Sequence, residues 1–233
     1  MNQFFENLAF GYTSLPNPNL GPERNESVEG GVRFNTKAVS LDLTAFTANY
    51  RDFISQEVVG GAGTAANPTQ FQFINLSRVK VKGAEARFEG RASNGLTGTL
   101  ALSYAKGDTT RPTGQTPLAT IDPLKLVMGI GYRQKEGRYG GQITATHSAQ
   151  KELSRTVGTC SATCFRPDGF TILDATAFVK LNNAITVRAG IFNITDETYV
   201  FWNDVRGLTD TSAVTAAFTQ PGRNASASLS FKF

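Results

Sequence analysis

Residues 223–233 alternate without interruption: Ala225, Ala227, Leu229, Phe231 and Phe233 fall on one side, and Asn224, Ser226, Ser228, Ser230 and Lys232 on the other. A period of two is the mark of an extended strand with one apolar and one polar face. The apolar face ends in two aromatics. Such a strand suits the edge of a soluble sandwich. It equally suits the closing strand of a membrane barrel, with lipid outside, a polar lumen inside and an aromatic at the interface.

The rest of the chain decides between them. Apolar, alternating segments are predicted at 27–35, 40–53, 70–92, 97–106, 123–134, 139–148, 169–181 and 184–194, with the terminal strand last. Leu124, Leu126, Met128, Ile130 and Tyr132 share one face of their segment, opposite Lys125, Val127, Gly129, Gly131 and Arg133. Leu173, Ala175, Ala177, Val179 and Leu181 oppose Asp174, Thr176 and Lys180 in the same way. In the 70–92 segment Val79 and Val81 fall in phase with Glu85 and Glu89, which points to a bulge or to an extension beyond the membrane. Connections alternate between short and long. The short ones are 35–37, 93–95 (Ser-Asn-Gly, a strong hairpin signal), 135–138 and 182–183. About nine antiparallel strands follow, with tight turns at one end and long loops at the other. Sandwich strands average about five or six residues, whereas these run to about ten, enough for a tilted bilayer crossing. The fold class is therefore all-β, an antiparallel transmembrane β-barrel segment with short periplasmic turns and long extracellular loops. A soluble all-β binding module is the alternative from another class.

Composition narrows function more than fold. Of 233 residues, 40% are hydrophobic and only 18% charged, yet no apolar run approaches the roughly 20 residues of a membrane helix. Mean hydropathy is −0.21, compatible with strands that spend half their residues on a polar face. The 23 basic residues are scattered, so no nucleic-acid patch forms. One histidine and two cysteines cannot assemble a zinc set. No nucleophile elbow, phosphate loop or acid/base pair is present, so no enzyme is expected. Residues 1–24 hold three prolines at 16, 18 and 22 and are predicted to be an irregular, ordered loop. An apolar leader is missing from the start. With an odd strand number, the chain is expected to be the C-terminal part of a larger barrel.

Four stretches carry a resemblance: Asn17-Pro18-Asn19-Leu20 followed by Pro22-Glu23; Asn75 leading to Gly83 and Glu85; Asn193, Asp196 and Tyr199 continuing to Trp202-Asn203-Asp204-Val205-Arg206-Gly207; and Gln220-Pro221-Gly222-Arg223-Asn224 with the terminal Phe233. In these the chain resembles the C-terminal part of TonB-dependent outer-membrane receptors, in their haem/haemoglobin branch. The resemblance implies a Gram-negative outer membrane and a barrel of about 22 strands around a plug. It implies transport of haem or of haem from haemoproteins, with haem as cargo rather than cofactor. Partners so implied are outer-membrane lipid, the haemoprotein, the energy-coupling inner-membrane complex acting through the plug, and the outer-membrane assembly machinery. A ferric-siderophore receptor is the alternative within transport.

On that footing residues 1–24 form an extracellular segment and 25–233 the barrel part. Asn17, Pro18, Asn19 and Leu20 are the ligand-loop candidates; prolines that stiffen a loop also lower its ordering cost on binding. Trp202, Asp204 and Arg206 belong to the last extracellular loop, where Arg206 pairs with a haem propionate or with Asp204, or the loop simply packs on the rim. Cys160 and Cys164 are expected to form a disulfide, as an exported chain allows. Phe231 and Phe233 are the barrel assembly signal. Asp174, Lys180, Lys125, Arg133 and Arg188 should line the lumen. His147 lies in phase with Tyr139, Ile143 and Ala145, and is a weak candidate for an iron ligand; no metal is expected otherwise.

Overall fold

Alternation in the sequence becomes a ladder in the computed structural model, which describes residues 6–7, 12–62, 64–111, 114–160 and 163–232. Phe233 lies outside the described residues. Among the described residues twelve strands are formed: β1 (Glu6–Asn7), β2 (Tyr12–Leu15), β3 (Arg24–Asn35), β4 (Val39–Gly60), β5 (Thr69–Arg91), β6 (Leu96–Arg111), β7 (Gly114–Pro117), β8 (Lys125–Arg133), β9 (Tyr139–Ser148), β10 (Phe170–Lys180), β11 (Ile185–Phe192) and β12 (Asn224–Phe231). The nine long ones follow each other in the order β3-β4-β5-β6-β8-β9-β10-β11-β12, the meander that alternating short and long connections predict. Along this path β3 and β12 are the edges, and every residue of both is exposed.

Two compact units divide the chain. One holds residues 1–28, 47–81 and 107–118; the other holds 29–46, 82–106 and 119–233. In the second unit the register is unbroken from β6 to β12. Leu100 pairs with Met128, Met128 with Ala145, Ala145 with Leu173, Ala175 with Ile191, and Ile191 with Ala225. Because partners across a ladder share a face, these pairs make one continuous apolar surface. Ile130, Ile143, Leu181, Leu229 and Phe231 on it are all exposed. A surface of this kind has no counterpart in a water-facing monomer and fits lipid. Tyr132 and Tyr139 lie at its tight-turn end with ring centroids 6.2 Å apart, where an interfacial girdle belongs.

The opposite face is concave and polar. Glu89, Arg91, Arg133, Gln142, Arg188 and Ser228 line an open concavity of about 860 Å³ there. Arg188 donates to Ser230 Oγ at 2.9 Å, and the Arg133 guanidinium lies over the Phe178 ring. Glu89 on this face fixes the phase of β5 within this unit: residues 83 and 85 look inward with it. No bulge is needed there, since inward positions tolerate either polarity. Gly83 is required at one of them, because a Cβ would stand 2.6 Å from the Tyr104 carbonyl and 2.7 Å from the Phe46 ring.

Three boundaries differ from the sequence reading. β4 and β6 continue to Gly60 and Arg111 as part of the first unit. There polar residues bond laterally: Arg111 Nη2 meets Glu57 Oε1 at 2.8 Å and Ser55 Oγ donates to the same oxygen at 3.0 Å. Residues 1–24 are not wholly irregular. β2 adds to β5 as a parallel strand, with Tyr12 opposite Thr69 and Leu15 opposite Gln72. That pairing is local in space and 57 residues apart in sequence, so no periodicity reveals it.

The apolar face makes a direct expectation. Met128→Arg, near mid-height of the lipid-facing band, should cost about 2–4 kcal/mol of barrel stability, whereas Ser228→Arg on the concave face should cost little. Comparing the folded fractions of the two variants by gel migration without heating checks this.

Candidate functional site

The Asn-Pro-Asn-Leu segment is held from below, within the first unit. Asn17 Nδ2 donates to Phe73 O at 2.8 Å, and Asn17 Oδ1 accepts the Asn19 N–H at 3.0 Å. Gln72 Nε2 donates to Pro16 O at 2.8 Å. A third amide closes the loop. Asn75 Oδ1 accepts Gly21 N–H at 2.8 Å, while its Nδ2 donates to Gly21 O at 3.0 Å and to Asp52 O at 2.6 Å. Asp52 has a positive φ of 56° inside β4, a conformation that Asp tolerates better than most residues. Side-chain amides suit this task because each offers both donors and an acceptor to backbone groups that no ladder reaches. Asn17 is therefore committed to the loop's own scaffold. Pro18, Asn19 and Leu20 form the exposed apex. Two of the motifs that carried the resemblance thus meet, with Asn75 as the clasp of the segment that begins at Asn17.

In the second unit the last loop, residues 193–223, is anchored by Trp202. This side chain is 3% exposed and donates Nε1–H to Ala119 O at 2.7 Å. It stands in a single helical turn, α1 (Trp202–Val205), with Val205 fully buried beside it. Asn203 Nδ2 donates to Asp122 Oδ1 at 2.7 Å. Asp204 Oδ2 accepts from Gln220 Nε2 at 3.2 Å. Arg206 is exposed. So Trp202 is buried as an anchor, Asp204 braces the loop through Gln220, and Arg206 remains on the surface.

The loop's base is tied by Asn193, 3% exposed with a φ of 49°. Its Nδ2 donates to Glu197 O at 2.8 Å and Pro221 O at 3.3 Å, and its Oδ1 accepts Glu197 N–H at 2.8 Å. Its own N–H goes to Asp174 Oδ1 at 2.8 Å. Asp196 holds the other side, accepting Arg223 N–H at 2.7 Å. Above this base Phe170, Tyr199 and Phe201 form an aromatic cluster with centroids 4.3–5.7 Å apart. Lys125 Nζ sits 5.3 Å from the Phe201 ring centre. Burial, seconded by Asp174, pushes the Tyr199 phenol up.

Lys151 gives no sign of itself in the sequence, where a single lysine in a long loop reads as solvated. It is 5% exposed, donates to Ile121 O, and holds its ammonium 5.4 Å from the Trp202 ring centre. Arg166 Nη1 donates to Lys151 O at 3.0 Å. Burial first, then the neighbouring Arg155, pushes the Lys151 ammonium down to about 8; Asp122 and Glu152 act against this shift. The same loop contains the Cys160–Cys164 disulfide, with Cα atoms 5.4 Å apart. Next to it the loop pairs with the last one: Phe165 N–H donates to Leu208 O at 2.9 Å and Asp210 N–H to Thr163 O at 3.1 Å. His147 is on the lipid-side face of β9, opposite Leu126, with Nδ1 2.9 Å from Thr171 Oγ1.

Residues 1–194 match the family model of the TonB dependent receptor-like β-barrel. The chain belongs to this family of outer-membrane receptors. It is 28% identical, over 95% of its length, to a probable hemoglobin and hemoglobin-haptoglobin-binding protein of Haemophilus influenzae. It is also 28% identical, over 93% of its length, to the hemoglobin-haptoglobin utilization protein B of Neisseria meningitidis. It spans 25% and 31% of those relatives' own lengths. Among solved structures, 93% of the chain superposes on 32% of the copper transporter OprC with a TM-score of 0.75 at 18% identity. The FrpB iron transporter of Neisseria meningitidis gives 0.71 at 16%, with 94% of this chain on 32% of that one. These neighbours share the barrel fold.

Two outcomes follow from the anchors. Asn75→Ala should release both Gly21 and Asp52 and cost about 1–3 kcal/mol locally; faster hydrogen exchange at Gly21 N–H, with the barrel amides unchanged, is the check. Lys151 is harder to protonate folded than unfolded, so its contribution to stability is poor below about 8 and improves as pH rises from there toward its ordinary 10.5. Hydrogen exchange at residues 202–205, corrected for its intrinsic pH dependence, should show fewer openings across that window. Lys151→Met should flatten the profile.

Proposed function

We propose that the receptor containing this chain takes up haem, delivered by a haemoprotein, across the Gram-negative outer membrane. Transport is driven by an inner-membrane energy-coupling complex, and the chain is a transporter part rather than an enzyme. The observation that carries this reading is that two relatives named for hemoglobin and hemoglobin-haptoglobin align over more than nine-tenths of the chain. The segments that meet the cargo are the exposed apex Pro18-Asn19-Leu20 in the first unit and, in the second, the loop that Trp202 anchors. Leu20, 37% exposed, offers apolar contact to a protein partner on a segment already held in place, so little entropy is lost on docking. Arg206 supplies a cation for a haem propionate, and Tyr199 and Phe201 of the same loop offer rings suited to a flat porphyrin. Phe231 and Phe233 serve the assembly machinery.

The test uses the full receptor in iron-starved cells. Growth on hemoglobin and on free haem is expected for the wild type. Asn19→Ala with Leu20→Ala should weaken hemoglobin binding about tenfold, the size of a modest hot spot, while growth on free haem persists. Growth on a ferric siderophore but on neither haem source would sink this reading.

A further inference from the structure

Lys125 stands where the wall of the second unit passes into its loops. It shares the phase of Gly131 and Arg133, which line the concave face. It is the first residue of β8 and Arg133 the last, so the two lie at opposite ends of the strand. Across the ladder Ser103, Lys125, Ser148 and Phe170 form one row. Phe170 shares the phase of Phe178, another residue of the concave face. The row therefore looks inward along its length, away from lipid.

Phe201 of the last loop reaches this row. Its ring centre is 5.3 Å from Lys125 Nζ and 5.7 Å from the Phe170 ring centre. Tyr199 closes the group, 4.3 Å from Phe170 and 5.5 Å from Phe201. Phe170 is buried and serves as the floor, whereas Lys125, Tyr199 and Phe201 are half-buried. The rings satisfy one another; the ammonium needs an acid. Among the described residues no carboxylate pairs with Lys125. Asp174, in the inward phase of β10, gives Oδ1 to the Asn193 N–H, and Asp204 accepts from Gln220. A cation beside aromatic rings, with no acid of its own, is complementary to a flat ligand that brings a carboxylate.

We propose that Lys125 is a specificity-determining residue: it binds a carboxylate of a planar aromatic ligand whose face lies on Tyr199 and Phe201. The inference rests on the haem reading above and deepens it. Arg206 offers its cation from an exposed loop, whereas Lys125 offers one from a strand of the wall. The Phe201 ring holds the ammonium in place before the ligand arrives, so little is lost in ordering it. The contact is a charge-assisted hydrogen bond, with Nζ–H donating to the carboxylate oxygen, and it gains strength where rings exclude part of the water. A flat ligand without carboxylates keeps the stacking and loses this bond. Lys125 thus selects by acid group, and the rings select by shape.

The test compares haem with haem dimethyl ester, the same porphyrin with both carboxylates masked. Each is titrated by absorbance into the detergent-solubilised full receptor. Lys125→Met should weaken haem binding at least about tenfold, the size of one hydrogen bond to a charged group, and leave ester binding unchanged. Lys125→Arg, which keeps the cation, should retain most of the affinity for haem. Heat-modifiable gel migration establishes that each variant is folded. Equal haem affinity of wild type and Lys125→Met would overturn the proposal while leaving the haem reading in place. An equal loss for haem and ester would overturn it too, because it assigns Lys125 to holding the loop. A wild type that binds neither porphyrin would overturn the haem reading itself, and this inference with it.

Discussion

Hydrocarbon offers no hydrogen bonds to a polypeptide, and that constraint shapes this chain. A backbone amide or carbonyl in lipid must find its partner in the protein, at a cost of several kcal/mol if it does not. The uninterrupted ladder from β6 to β12 is the response. Once the ladder is fixed, side chains alternate, so each strand must carry lipid-compatible residues at every second position and is free at the rest. The apolar set running from Leu100 through Met128, Ala145 and Leu173 is what this leaves visible. The two exposed edges, β3 and β12, obey the same rule: in a bilayer their unpaired backbone groups need further strands to pair with.

Beyond the membrane the ladder stops and the same accounting passes to side chains. Loops 16–23 and 193–223 each rely on one asparagine that bonds backbone groups from two sides. Asn75 joins Gly21 to Asp52, and Asn193 joins Glu197 to Pro221. An amide can do this where a carboxylate cannot, because it donates and accepts with no charge to bury. Asn193 sits where β11 ends and the loop begins, so its conformation, with positive φ, also turns the chain. Loops presented in this way are stiff at the base and exposed at the apex.

Much of the fold was legible because period two survives any tertiary context. The nine strands, their shared outward face and the inward placement of Arg133 and Arg188 all followed from counting. The residues that misled were those whose partners lie far away. The extension of β6 beyond Lys106 is glycine and polar residues only, and that of β4 sets Val58 and Val59 side by side, so neither alternates and nothing marks them as strand. Tyr12–Leu15 looked irregular because Pro16 follows, yet a parallel addition to β5 needs only four residues. At the candidate site the sequence singled out two segments and did not separate the division of labour within them. Asn17 and Trp202, the most conspicuous members of their motifs, are turned to the scaffold, and the exposed positions are their plainer neighbours Asn19, Leu20 and Arg206. A motif marks what a segment needs in order to fold as well as what it binds, and spacing alone does not separate the two.

Lys151 illustrates a cost that such packing accepts. Its ammonium is desolvated where three loop segments converge, between the Ile121 carbonyl and the Trp202 ring. A leucine in that place would leave the Ile121 carbonyl without a donor, while a solvated lysine would leave the indole without its cover. One side chain meets both needs, and the depressed pKa measures how incompletely they repay the loss of water. The loops over this barrel wall are thus held by a few partly compensated polar contacts rather than by a core, which is the low-stability end from which mobile, ligand-binding segments are drawn.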